Sequence, residues 1–108
     1  MSDESKSETL RVVDNVPEQR FEVELNGAVA TLAYERAGDR LVLIHTEVPS
    51  NLQGHGIGHL LVRAALDEAA REGELIVPLC PFVVSYLRRH PDELRLVAPE
   101  YRAEFQAR

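Results

Sequence analysis

Pro49-Ser50-Asn51-Leu52-Gln53-Gly54-His55-Gly56-Ile57-Gly58-His59 is the stretch on which the reading of this chain depends. An apolar run, Leu41 to Ile44, leads into it through His45-Thr46-Glu47-Val48. A helix-patterned run, Ile57, Leu60, Leu61, Ala64 and Ala65, leads out of it. Strand, glycine-rich turn and helix in that order aim several backbone N–H groups and a helix N-terminus at one point. Such a point attracts an anion, usually a phosphate. Gly54, Gly56 and Gly58 stand at alternate positions and let a ligand approach the main chain with no Cβ in the way. The competing reading is a loop whose glycines serve only a tight turn.

Upstream, Thr9 to Val13 reads as a short first strand, broken by Pro17. Phe21, Val23 and Leu25 then alternate with Glu22 and Glu24, the pattern of a half-exposed strand. Asn26-Gly27 is the signature of a two-residue hairpin turn, because both residues tolerate positive φ. The partner strand runs from about Ala28 to Arg36, and Ala37-Gly38-Asp39 turns the chain again. Leu41-Val42-Leu43-Ile44 is apolar on both sides, as expected of a central strand covered on both faces.

Downstream, Ile57, Leu60, Leu61, Ala64 and Ala65 make one apolar stripe while His59, Arg63, Asp67 and Arg71 point away. Asp67 and Arg71 have the spacing of a helix-surface ion pair, and Gly73 stands where a C-terminal cap is wanted. Leu75 to Leu79 reads as a buried strand, parallel to the Leu41–Val48 segment because the strand–helix–strand crossover is right-handed. Pro78 has no N–H to complete a ladder, so the two parallel strands should part near it. A second helix spans Pro81 to His90 and is closed by Pro91. A strand at Leu94–Val97 and a short amphipathic segment carrying Tyr101 and Phe105 complete the chain. The fold class is therefore mixed α/β: an antiparallel meander leading into a parallel strand–helix–strand crossover, with two main helices.

With 108 residues the chain is one domain, residues 9–108, behind a polar acidic tail, residues 1–8, expected to be disordered. A net charge of −6 argues against a nucleic-acid backbone as partner. No apolar run approaches the ~20 residues of a membrane span. Cys80 is the single cysteine, which rules out an internal disulfide and a cysteine-based zinc site and fits a reducing cytoplasm. The four histidines lack zinc-site spacing, so no metal is expected.

The crossover makes a spatial claim. Both parallel strands end at one sheet edge, where ligands of open α/β sheets bind, so the Pro49–Gly58 loop and Cys80 should be neighbours. Pro81 is a natural first helical residue, which puts Cys80 at the N-cap, where the helix dipole favours thiolate. A buried structural cysteine is the alternative. His45 ends a central strand at that edge and is placed to act as a base, or else is a core histidine bonded to backbone. His55 and His59 read as solvated positions within reach of a phosphate. Tyr86 reads as core packing, with a general-acid role as the sharper option.

The Walker A spacing is absent, and His59 stands where the third glycine of a dinucleotide fingerprint is required. Gln53-x-x-Gly56-x-Gly58 between a strand and a helix does match a pattern. It resembles the pyrophosphate-binding motif of the GNAT superfamily of acetyl-CoA-dependent N-acetyltransferases. With His45-Thr46-Glu47-Val48-Pro49 before it and Val77-Pro78-Leu79-Cys80-Pro81-Phe82 after it, the chain is similar to the minimal-length branch of that superfamily over roughly Phe21 to His90.

The resemblance implies a sheet that splays between two parallel strands, with the pantetheine arm of acetyl-CoA in the opening. It implies that backbone groups of Thr46, Glu47 and Val48 pair with the pantetheine amides. Gln53, Gly54, His55, Gly56, Ile57 and Gly58 would hold the pyrophosphate, with His59 beside them. Cys80 looks like the cysteine proposed in this branch to lie close to the thioester. The chain is shorter than a typical member and shows no carboxylate base at a motif position, which leaves His45 as the candidate for proton removal. The function so implied is acetyl transfer from acetyl-CoA to an unidentified amine, by direct attack or through acetylated Cys80, in a cytoplasmic monomer. The alternative is a CoA-binding sensor or accessory module.

Overall fold

Alternation of Phe21 and Val23 with Glu22 and Glu24 demands one buried and one exposed strand face, and the computed structural model, which describes residues 10–106, shows that arrangement. Val13–Asn15 (β1), Arg20–Leu25 (β2), Ala28–Ala37 (β3) and Arg40–Glu47 (β4) run antiparallel, each beside the next. Leu75–Pro78 (β5) joins β4 in parallel, giving the sheet order β1-β2-β3-β4-β5. Asn26 and Gly27 both take positive φ (54° and 80°), as the hairpin turn requires.

β1 lies later than the Thr9–Val13 expected from sequence. The turn that sets it is Val16–Gln19, where Gln19 N–H donates to the Val16 carbonyl and Glu18 N–H donates to Asn15 Oδ1 at 3.2 Å. That turn pairs Asn15 with Arg20 and fixes the register from there. The tail over residues 1–8 lies outside the described residues.

Two helices cover the sheet. Helix α1 (Ile57–Glu72) buries Ile57, Leu61, Val62, Ala65, Leu66 and Ala69; of the stripe read from sequence, Leu60 and Ala64 are only half-buried, and Val62 and Leu66 share the buried face instead. It ends at Gly73, which takes φ 69° and donates its N–H to the Ala69 carbonyl. Helix α2 (Pro81–Arg89) buries Val83, Tyr86 and Leu87. The two lie side by side, with Arg63 of α1 donating to the Tyr86 hydroxyl of α2 at 3.2 Å. Their apolar faces meet Phe21, Leu32, Leu41, Leu43 and Ile76 in one core.

Because both helices lie on one face, the expectation that β4 is covered on both sides is wrong. Leu41 and Leu43 are fully buried, but Val42 is half-buried and Ile44 is 36% exposed. The outward residues Glu24, Val29 and Glu35 are likewise exposed. The apolar run in β4 marks a central position in the sheet rather than a second helical layer.

Two further expectations are corrected. Asp67 pairs with Arg63 (3.2 Å), one turn before it, and Arg71 pairs with Glu68, so the Asp67–Arg71 pair does not form. Leu94–Val97 is not a strand. Pro91–Leu96 curls as a 3₁₀ helix, held where Glu93 accepts from Arg63 at 2.9 Å, and only Val97 bridges to Ile76. A third helix, α3 (Pro99–Gln106), follows and packs Tyr101 and Phe105 against the core.

Candidate active site

The site begins where β4 and β5 part. Leu43–Pro78 is their last pair, and the Leu43 carbonyl then accepts from both Leu79 N–H (3.0 Å) and Cys80 N–H (3.1 Å). Pro78 offers no N–H, so the ladder turns aside at this point. β4 runs on from Ile44 to Glu47 with β3 as its paired strand, and a gap opens on its other side.

One extra residue shapes that gap. Tyr34 pairs with Leu43 while Ala33 pairs with His45, so Ile44 is a β-bulge. A bulge bends the strand and shifts the side-chain alternation by one position. Continued from Leu41 and Leu43, strict alternation would bury His45 and Glu47. After the bulge His45 and Glu47 instead turn outward, paired with Ala33 and Thr31. Thr46, paired with the fully buried Leu32, turns toward the core.

The loop that follows presents main chain. Ser50–Leu52 forms a 3₁₀ turn, and Leu52 is completely buried beneath it. Gln53 reaches back to donate from Nε2 to the Val48 carbonyl at 3.1 Å, closing the loop with its own side chain. Gly54 and Gly56 take φ 88° and 73°, and no atom lies within 4 Å of where a Cβ would stand on either. Gly56 is the N-cap of α1, no side chain caps the helix, and its first turn holds no acidic residue. The first-turn N–H groups therefore lack a capping side chain and face outward with the positive end of the dipole. This is the electrostatic arrangement that holds a phosphate.

Gly58 has another role. It is helical, and a Cβ on it would stand 2.7 Å from Phe82 Cζ. The missing side chain lets the Phe82 ring of α2 lie against the start of α1. Phe82 is also in contact with His59, ring centroids 5.8 Å apart.

These elements enclose a cavity of about 610 Å³. Ten of the residues singled out from sequence line it: His45, Thr46, Glu47, Val48, Gln53, Gly54, Gly56, Ile57, Gly58 and His59. His55 is exposed and does not line it. Leu52 and Phe82 line the cavity and were not picked out from sequence. Leu52 reads as one apolar residue in a loop, and Phe82 as one more apolar position of a helix face. Only the pairing of Phe82 with Gly58 marks it, and that needs two elements brought together.

Cys80 is the N-cap of α2, with extended φ −82° and ψ 127°, and α2 begins at Pro81 as expected. It is 2% exposed and does not line the cavity. Its Sγ lies 3.1 Å from Thr46 Oγ1, so the thiol reaches the cavity wall through the Thr46 hydroxyl. Tyr86 is 5% exposed and is likewise set back, its hydroxyl engaged by Arg63 and its ring stacked on His90 at 4.0 Å. Hydrogen bonding to Glu93 raises the Arg63 pKa further above its ordinary value, so the guanidinium that pins Tyr86 is a permanent cation. Among the described residues no three His, Cys, Asp or Glu side chains are grouped to hold a metal ion. No described helix is long and apolar enough to cross a membrane.

A family model described as GCN5-related N-acetyl-transferase matches residues 20–97, which span β2 through the bridge at Val97. A protein from Staphylococcus aureus described as GCN5-like, whose structure was solved by NMR, shares the fold with a TM-score of 0.66 at 22% sequence identity. The likeness covers 84% of this chain and 90% of that one. Strands β2 to β5, the glycine loop and helices α1 and α2 fall inside the matched span, and β1 and α3 lie outside it.

Proposed function

Because this chain is an N-acetyltransferase of the GCN5-related family, we propose that its cavity binds acetyl-CoA and delivers the acetyl group to an amine. The observation that carries this reading is the uncapped, acid-free start of α1 opening into the cavity beside the β4–β5 gap. The donor set fits the cofactor's chemistry. Exposed main chain at Gly54 and Gly56 and the first-turn N–H groups of α1 suit the pyrophosphate, while the unpaired edge of β4 from Ile44 to Glu47 suits the pantetheine amides.

In the transfer an amide N–C bond forms and the thioester C–S bond breaks. The amine proton must leave, and the departing thiolate must gain one. His45 is exposed, lines the cavity and stands on the outward side of β4, so it is assigned the proton removal. Main-chain donors along the gap stabilise the charge that develops on the carbonyl oxygen. Cys80 supports this site from behind through Thr46 and is not the nucleophile, since its thiol is buried outside the cavity. Direct attack by the amine follows.

A thermal-shift series with acetyl-CoA, CoA and ATP tests the cofactor assignment. At one hundred times its Kd a ligand stabilises by about 2.7 kcal/mol. Both CoA species should raise the melting temperature well above the effect of ATP at equal concentration. Absence of any shift with acetyl-CoA and CoA would sink the reading.

A further inference from the structure

Thr46 carries the only hydroxyl among the described residues that line the cavity. It stands on β4 beyond the last β4–β5 pair, in the stretch where that strand has a free edge. Its hydroxyl lies 3.1 Å from Cys80 Sγ, a contact in which either atom can donate. The other side-chain donors nearby are committed elsewhere. Gln53 Nε2 donates to the Val48 carbonyl, and the Tyr86 hydroxyl is set back from the cavity and held by Arg63. His59 lies against Phe82 at the start of α1, beside the glycine loop.

Position along β4 decides what meets Thr46. A ligand anchored by its phosphates at Gly54 and Gly56 and laid along the free edge passes Val48 and Glu47 first. It ends beside Thr46 and His45, short of the Leu43–Pro78 pair where the gap closes. These two neighbours stand on opposite sides of the strand, His45 turned outward and Thr46 toward the core, yet both line the cavity. A thioester held at this point therefore has the assigned base on one side and a hydroxyl on the other.

We propose that the Thr46 hydroxyl is the catalytic group that receives the departing CoA sulfur, with Cys80 as the positioning residue behind it. This rests on the cavity being the acetyl-CoA site. The amine nitrogen bonds to the carbonyl carbon, and His45 takes a proton from the amine. The C–S bond then breaks with its electron pair on sulfur, which accepts a hydrogen bond from the Thr46 O–H. Charge on the sulfur makes that bond stronger in the departing state than in the thioester, which is the condition for lowering the barrier. The Cys80 S–H donates to Thr46 Oγ1 meanwhile, which leaves the hydroxyl proton free to turn into the cavity. Thr46 gives up no proton: CoA leaves as a hydrogen-bonded thiolate and takes its proton from water.

The test reads the thiol of CoA itself in the complex, by its thiolate ultraviolet absorbance across pH. The same titration with desulfo-CoA, which has hydrogen in place of the thiol, subtracts the protein's own groups. In the parent protein bound CoA should be about tenfold or more stronger as an acid than free CoA. Thr46→Val keeps the β-branched shape without the hydroxyl and should remove that gain. Its thermal shift with desulfo-CoA should stay at the parent value. Thr46→Ser should restore most of the gain. Three results overturn the proposal: bound CoA no more acidic than free CoA, Thr46→Val titrating with the parent, or Thr46→Ser titrating with Thr46→Val. Absence of a thermal shift with both CoA and desulfo-CoA in the parent protein is a different outcome, because it removes the cofactor site on which the proposal rests.

Discussion

Gly58 and Phe82 occupy one space: a Cβ on the glycine would stand 2.7 Å from the phenylalanine Cζ, at the point where α1 and α2 converge on the cavity. The third glycine of the Gly54-x-Gly56-x-Gly58 series is thus kept by helix packing, whereas the first two are kept by positive φ. Gly58→Ala should leave stability within about 1 kcal/mol of the parent. The gain in helix propensity over glycine, ~1 kcal/mol, offsets the displacement of an aromatic ring that is 36% exposed and can swing. Acetyl-CoA affinity should fall about tenfold, or 1.4 kcal/mol, as the ring enters the cavity. Phe82→Ala in the same chain should restore much of it, and a double-mutant cycle on the thermal shift reads the coupling.

Cys80 and Thr46 make the second test. If the buried thiol only supports Thr46, Cys80→Ala should keep turnover within a few-fold of the parent and cost about 1 kcal/mol of stability for the lost core atoms. Intact mass after incubation with acetyl-CoA should show no adduct on Cys80. An acetylated Cys80 that disappears when the acceptor amine is added would reverse the assignment.

His45→Gln should lower kcat by about 10²-fold or more, the usual range for a lost general base, with the acetyl-CoA thermal shift unaltered. Its side chain is exposed and turned away from the core, so folding should be unaffected. Equal loss of cofactor binding would mean that the residue holds acetyl-CoA and does not move the proton.

Tyr34 gives stability a limit in alkali. Its hydroxyl donates to Asp14 Oδ1 at 2.6 Å; burial, and then the Asp14 carboxylate, push its pKa up to about 12. Because the folded value lies above the unfolded value of 10, the neutral form stabilises the fold fully below pH 10. That contribution is lost as pH rises from about 10 to 12. Urea midpoints should fall through that window, by an amount of order 2 kcal/mol in unfolding free energy. Tyr34→Phe should flatten the fall, and a parent curve that stays level to pH 12 would contradict the assignment.

Local chemistry made much of this protein legible from its residues alone. Asn26-Gly27 turns because those two residues accept positive φ, and α1 forms because its apolar positions share one face and Gly73 can end it. The parallel placement of β5 follows from the handedness of a short crossover, and with it the meeting of the glycine loop and the β5 end. Those signals lie within a few residues of where they act, so the chain carries them openly.

Three decisions belong to the tertiary structure. Both helices settle on one face, which leaves Val42 half-buried and Ile44 exposed on the other side of β4 although Leu41 to Ile44 is apolar throughout. Cys80 sinks out of the cavity behind Thr46. The bulge at Ile44 turns His45 and Glu47 outward. Each depends on contacts between segments that are distant in the chain, and the last on how β4 registers against β3. A one-residue slip in that register changes no amino acid, yet it exchanges every side chain beyond it between the two faces of the sheet.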